Sequence, residues 1–316
     1  MNSGKWIFCT MVFLMISLGM LYAQAAAGWK HPANVPSDYV ITPFGYFHAS
    51  CVREIKNGET VLSDGRIRFA DGTEETVAPF CAFPRYTATG ELAVQGAGSQ
   101  YISWDWIEAG QVSTQSTSYG EITADWTVPP TPKTNDGQTL FFFPGFMDIN
   151  ETELIIQPVL GWNDGQNAGP WNIASWNCCP SGTANYSTPV TVNTGDKIFG
   201  EIKSTCSPGN GSCPTWNITT TDVTTNKSTT LSNTPSEGQT FNWAQSGVLE
   251  VYSISQCSDF PPNHSIKFSK VALWDYNFNK IKNPGWSPMY WVEKGQTSPW
   301  CNYKAKTTAT AVTLSY

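Results

Sequence analysis

Beyond residue 98 the chain alternates apolar and polar positions in short runs, separated by Gly, Pro, Asn and Asp. Gly120–Val128, Lys197–Ile202, Thr215–Thr220, Ser265–Leu273 and Ala309–Tyr316 all follow a period of two in Val, Ile, Trp, Phe or Leu. Successive side chains of a strand point to opposite faces, so each run predicts a strand with one buried face. No stretch sustains the 3.6-residue period of an amphipathic helix. The expected architecture is all-β: a two-sheet antiparallel β-sandwich spanning residues 99–316. Trp274–Trp300 is aromatic and Pro-rich without a strand pattern, which predicts a loop packed over one face.

Residues 28–98 have a different texture. A Pro-rich extended stretch, Pro32–Pro43, precedes the aromatic run Phe44–His48, and Thr60–Thr73 contains two hairpin signals, Asp64-Gly65 and Asp71-Gly72. A small β-rich N-terminal region or prosegment is expected, with the Gly/Ser/Thr-rich segment Thr87–Gln100 as linker. Ahead of it, residues 1–27 read as a secretory signal peptide. Lys5 is the basic start, Trp6–Leu21 the apolar core, and Ala23–Ala27 offers small residues for cleavage. The expected location is secreted, extracellular or periplasmic. No second hydrophobic stretch follows, so no membrane is expected as partner once the signal is cleaved.

Cysteine usage agrees with export. Of nine cysteines Cys9 falls in the signal, leaving Cys51, Cys81, Cys178, Cys179, Cys206, Cys213, Cys257 and Cys301. An even number in an exported chain favours disulfides. Cys206 and Cys213 flank a Gly/Pro-rich tip and Cys51 with Cys81 would staple the N-terminal region. The pairing of Cys178, Cys179, Cys257 and Cys301 stays open. No CxxC or CxxH pair occurs, so no metal site is expected.

A net charge of −7 argues against nucleic acid as partner. Fourteen Trp residues can fill a β core or line a groove for peptide or sugar. Asn150, Asn185, Asn210, Asn217, Asn226 and Asn263 each begin an N-x-S/T sequon.

Two runs carry the candidate chemistry. Leu154–Trp162 is an apolar strand with the amide Gln157 at its centre, and Gly247–Tyr252 is a similar strand with the carboxylate Glu250. Gln157 shares a face with Ile155 and Val159, and Glu250 shares one with Val248 and Tyr252. Polar groups within such runs are costly unless paired or used. Side by side, the two strands would form an acid/base site. Other devices are missing: there is no GxSxG elbow, HExxH helix, P-loop or GxGxxG. After the signal only His31, His48 and His264 remain, which makes a Ser-His-Asp or Cys-His arrangement a poor expectation.

An ordered succession of segments resembles the glutamic peptidases (eqolisins, the scytalidoglutamic peptidase type). Ala124–Pro132 is similar to that family's Thr-Phe-Thr-Val-Pro-x-Pro strand. Phe141–Gly145, Ile155–Gly161, Ala174–Pro180, Val192–Ile198, Trp216–Thr230, Val248–Tyr252 and Thr308–Tyr316 follow in the family's order, over about two-thirds of the chain. Ser175-Trp176-Asn177-Cys178 stands where the family has an acidic Trp-Tyr-Glu-Trp stretch, so an amide replaces a subsite carboxylate.

The resemblance implies a concanavalin-like fold, a groove across one sheet and a secreted acid endopeptidase without cofactor. Gln157 and Glu250 map onto its Gln/Glu dyad. Glu250 would take a proton from the attacking water and return it to the leaving amine, while Gln157 stabilises the oxyanion. Phe143, Trp162 and Trp176 are candidate substrate-binding residues, and a protein or peptide is the expected partner. Family members carry a basic inhibitory propeptide. Here Gly28–Gly110 holds six Lys/Arg against ten Asp/Glu, so the N-terminal region, if it inhibits, does so by shape more than charge. The competing expectation is a non-catalytic carbohydrate-binding or surface β-sandwich.

Overall fold

The structure is a computed structural model that describes residues 31–78, 81–93, 106–114, 116–150, 154–165, 171–178, 182–290 and 299–316. The expected signal peptide, the 98/99 boundary and Cys179 lie outside the described residues. The N-terminal region forms β1 (Tyr39–Thr42), β2 (Gly45–His48), β3 (Val52–Ile55), β4 (Thr60–Val61) and β5 (Ile67–Arg68). Then come β6 (Trp106–Ser113), β7 (Tyr119–Thr127), β8 (Thr139–Met147), β9 (Ile155–Trp162), β10 (Trp171–Cys178), β11 (Ala184–Ser187) and β12 (Val190–Val192). The remaining strands are β13 (Lys197–Ser204), β14 (Thr215–Asp222), β15 (Lys227–Pro235), β16 (Trp243–Tyr252), β17 (Ser265–Asp275), β18 (Ser287–Tyr290), β19 (Lys304–Thr308) and β20 (Ala311–Ser315).

These strands build the expected sandwich. A nine-stranded sheet runs β18-β6-β16-β8-β9-β10-β11-β3, with β12 also on β10, and a seven-stranded sheet runs β15-β14-β13-β7-β17-β20-β19. All pairings are antiparallel except that of β11 with β3. Between the sheets lies a core that includes Ile122, Trp126, Phe142, Phe146, Leu160, Ile202, Trp216 and Leu314. The seven-stranded sheet keeps a clean alternation, as in β14, because its other face meets solvent.

The central strands of the larger sheet are apolar on both faces. Thr139–Met147 is buried at every position, as is Trp171–Cys178. The reason is a second cluster on the outer face, where Tyr39, Ile41, Tyr46 and Phe47 of the N-terminal region cover Phe141, Phe143, Val159, Trp176 and Tyr252. Strand β3 extends the same sheet by pairing Val52–Ile55 with Ala184–Ser187. The outer face of the larger sheet is thus covered by the chain's own first strands.

Cys51–Cys81 and Cys206–Cys213 are bridged as expected. The open pairing resolves into Cys257–Cys301, while Cys178 is a buried free thiol. The segment 274–300 is not all loop. Ser287–Tyr290 forms β18 against Gln111–Glu108 of β6. It lacks a period-two signal because it is a half-exposed edge strand, where Pro288 is tolerated.

Candidate active site

Gln157 sits on β9 and Glu250 on β16, and both are fully buried. Their strands are not neighbours, because β8 lies between them. Both side chains nevertheless belong to the outer face, as their companions Ile155, Val159, Val248 and Tyr252 show. They meet over a third element, the tip of the β1–β2 hairpin.

That tip is Thr42-Pro43-Phe44-Gly45, with Thr42 paired to Gly45 across it. Proline presets φ for the turn, and Gly45 takes φ +107°, a conformation L side chains rarely adopt. A Cβ at Gly45 would stand 2.5 Å from the carbonyl oxygen of Tyr86. Arg85 fixes the tip from outside: its Nη1 donates to the Phe44 carbonyl at 2.8 Å and its guanidinium lies 4.2 Å from the Phe44 ring centre.

Gln157 Nε2 donates to the main-chain carbonyl of Pro43 at 2.7 Å. Its own Oε1 is buried without a hydrogen-bond partner. Glu250 is held from two sides: Trp106 Nε1 on β6 donates to Oε2 at 3.0 Å, and the Tyr252 hydroxyl bonds Oε1. The same hydroxyl lies 2.9 Å from the Thr42 carbonyl oxygen and accepts the Gly45 N–H at 2.7 Å. The site therefore holds the backbone of Thr42, Pro43 and Gly45 through Gln157 and Tyr252.

Cys178 completes the wall on β10. Burial pushes its thiol well above the ordinary thiol range, with the charge of Glu250 adding to the effect and Arg85, Thr42 and Gln157 opposing it. It is not an activated nucleophile.

The candidate aromatics divide between the two faces. Phe143 and Trp176 lie on the face of the dyad, Phe143 edge-on to Trp106 and Trp176 stacked on Tyr186 at 4.7 Å. Trp162 points into the core between the sheets, 5.2 Å from the Trp171 ring. Every described Trp is buried or half-buried. Sequence reasoning missed Trp106, Tyr252 and the hairpin tip. Tyr252 carried a signal, since it is two residues from Glu250 on the same face of a strand. Trp106 and Pro43 carried none, being brought in from far along the chain. Among the described residues no cluster of His, Cys, Asp and Glu suited to a metal ion occurs.

No protein-family model and no curated protein sequence matches the chain. Among solved structures, the chain is similar to scytalido-glutamic peptidase with a peptide-based transition-state analog. The identity is 14%, over 67% of this chain and 98% of that one, with a TM-score of 0.48. It is also similar to SCP-B, a member of the Eqolisin family of peptidases in complex with the tripeptide Ala-Ile-His. There the identity is 16%, with the same shares covered and a TM-score of 0.45. For aspergilloglutamic peptidase from Aspergillus niger the identity is 15%, over 56% of this chain and 98% of that chain, with a TM-score of 0.40.

Proposed function

We propose that this chain is an endopeptidase of the glutamic type, made with its active site closed by its own N-terminal hairpin. The observation that carries the reading is the bond from Gln157 Nε2 to the Pro43 carbonyl, in a buried site that also holds Glu250. A carboxamide that donates to a peptide carbonyl supports the role of oxyanion stabiliser. The bonds that orient the Glu250 carboxylate, from Trp106 and Tyr252, support its role as the general base.

With the hairpin displaced by an extended substrate, the scissile carbonyl takes the position of the Pro43 carbonyl. Glu250 accepts a proton from water as its oxygen bonds to the carbonyl carbon. The oxygen of the tetrahedral intermediate carries the negative charge and is stabilised by Gln157 Nε2. The carbon–nitrogen bond then breaks as Glu250 returns the proton to the leaving nitrogen. No cofactor is required. Phe143 and Trp176, on the same face, are proposed to contact substrate side chains, whereas Trp162 supports the strand from the core side.

The hairpin itself is an inhibitor and not a first substrate. Thr42 is paired to Gly45, so the Pro43–Phe44 bond is offered in a closed turn and not as an extended strand. Three disulfides favour an oxidising compartment, in keeping with export.

The test is hydrolysis of an acid-denatured protein across pH 2–7 with pepstatin present. It compares the full chain, chain whose N-terminal region has been removed by limited proteolysis, and Glu250→Gln. Pepstatin-resistant cleavage that rises after trimming and vanishes in Glu250→Gln is expected. Cleavage that survives in Glu250→Gln, or none after trimming, would sink the reading.

A further inference from the structure

Gln245 is a fully buried carboxamide on β16, and neither its Nε2 nor its Oε1 has a hydrogen-bond partner. Its strand neighbours fix its direction. Trp243 belongs to the outer cluster and Ala244 to the core between the sheets, so Gln245 points outward. Its ladder partner on β8 is Gly145, which lies between Phe143 and Met147 of the same outer cluster. A Cβ at Gly145 would stand 3.2 Å from Gln245 Oε1 and 3.2 Å from Ile155 Cδ1 on β9. Glycine thus keeps the space between Gln245 and β9 clear. On its other side Gln245 is paired with Gln111 of β6, whose Oε1 is also buried without a partner.

Register extends this pair into a row. Phe142 pairs with Leu160 and Phe146 with Ile156, so by count Gly145 falls opposite Gln157. Gln157, Gly145, Gln245 and Gln111 therefore cross four adjacent strands, β9, β8, β16 and β6, on one face. The row is three carboxamides and one gap in a face otherwise lined by Phe143, Val159, Trp176 and Val248. A buried amide without partners is unfavourable, and an apolar side chain of the same size would remove the penalty. The hairpin accounts for one end of the row only. It gives Gln157 the Pro43 carbonyl, while Gln245 stays unpaired in the closed chain.

We propose that Gln245, with Gln111 beside it, binds the main chain of an extended polypeptide laid across the strands. The proposal rests on the peptidase reading in taking the hairpin as a displaceable cover and Gln157 as the holder of the scissile carbonyl. A peptide unit offers one C=O and one N–H, the complement of the N–H and C=O that Gln245 leaves open. Adjacent strands are about 4.8 Å apart and an extended chain rises about 3.3 Å per residue. Gln245, two strands from Gln157, meets the polypeptide about three residues from the scissile bond, and Gln111 about four. Gly145 has no side chain to obstruct the path between them. Recognition through main-chain groups is indifferent to side chains, so the class of ligand is unfolded polypeptide and not a short peptide of one sequence.

Gln245→Met keeps the length of the side chain and removes both polar atoms. In the full, disulfide-intact wild-type chain, where the amide is unpaired, this change should raise Tm by about 2 °C or more. An amide needed for the fold gives the opposite sign. Binding is read by fluorescence anisotropy of fluorescein-labelled oxidised insulin B chain, an unstructured polypeptide. The parent protein is the full chain with Gly45→Val, a β-branched residue at positive φ that loosens the cover, and Glu250→Gln, which prevents turnover. Adding Gln245→Met should raise Kd about tenfold or more, the loss of two hydrogen bonds. A Tm at or below that of the wild-type chain, a Kd within about twofold of the parent's, or no binding by the parent would overturn the proposal. The enzyme reading fails separately, by cleavage in chain that retains Glu250. Binding that depends on Gln245 in a chain that never cleaves refutes the peptidase and leaves the row standing; cleavage with Kd unmoved does the reverse.

Discussion

The side-chain amide of Gln157 donates to the main-chain carbonyl of Pro43, a residue 114 positions earlier in the chain, at 2.7 Å. The bond ties the centre of β9 to the turn of the β1–β2 hairpin, and in the proposed mechanism the same amide would hold the substrate carbonyl once the hairpin is displaced. Replacing it should cost both. In chain freed of the N-terminal region, Gln157→Ala is expected to lower kcat/KM on a denatured protein by about 10²–10³ with an unchanged far-ultraviolet circular dichroism spectrum. Activity within tenfold of the parent would remove Gln157 from the mechanism.

The tip can be broken without touching Gln157 or Glu250. Gly45→Val places a β-branched residue at positive φ, with its Cβ pressed on the Tyr86 carbonyl. The untrimmed variant should hydrolyse protein substrate faster than untrimmed wild type, by tenfold or more, and trimming should bring the two to the same rate. Equal rates before trimming would show that the hairpin does not restrain the site.

A second buried carboxyl sets a pH dependence of stability. Glu108 lies on the core side of β6 and accepts the backbone N–H of Lys304 at 2.9 Å and of Ser315 at 2.7 Å, pinning β19 and β20 to the larger sheet. Burial raises its proton affinity more than the two N–H bonds lower it, and its pKa is pushed from 4.5 up to about 8. A folded-state value above the unfolded one gives stability that is complete below the unfolded value and is lost as pH rises toward the folded one. Tm should therefore fall between about pH 4.5 and 8. Glu108→Gln should flatten that decline; a decline of undiminished slope in the variant would assign it to other groups.

The Cys257–Cys301 bridge closes a 44-residue separation. It joins the β16–β17 connection to the chain entering β19. A loop of that length corresponds to about 4 kcal/mol of unfolded-state entropy. Cys257→Ser with Cys301→Ser should lower the guanidinium midpoint accordingly, while the inter-sheet core keeps the fold. A midpoint shift worth under about 1 kcal/mol would mean the loop is already constrained when reduced.

Much of this molecule is local in origin and therefore legible along the chain. A period of two needs only neighbouring residues, so the strands, the two-sheet architecture and the shared face of Val248, Glu250 and Tyr252 follow from pattern alone. The two-sided burial of Phe141–Gly145 shows as an unbroken apolar run, yet the run does not name its covers. The bridges at Cys51–Cys81 and Cys206–Cys213 were legible because both are short in sequence. Cys257–Cys301 was not, because several connectivities satisfy the same spacing.

The sequence by itself determined that two polar side chains, Gln157 and Glu250, would stand in apolar strands and require partners. Only the tertiary structure decided what those partners are. Strand order placed β8 between β9 and β16, so the two groups meet through the Thr42–Gly45 turn instead of across one ladder. Strand register brought Trp106 onto the carboxylate, beside Tyr252 of its own strand. The physical reason is that alternation fixes which face a side chain occupies. Which distant backbone arrives on that face depends on topology, and no local pattern encodes it.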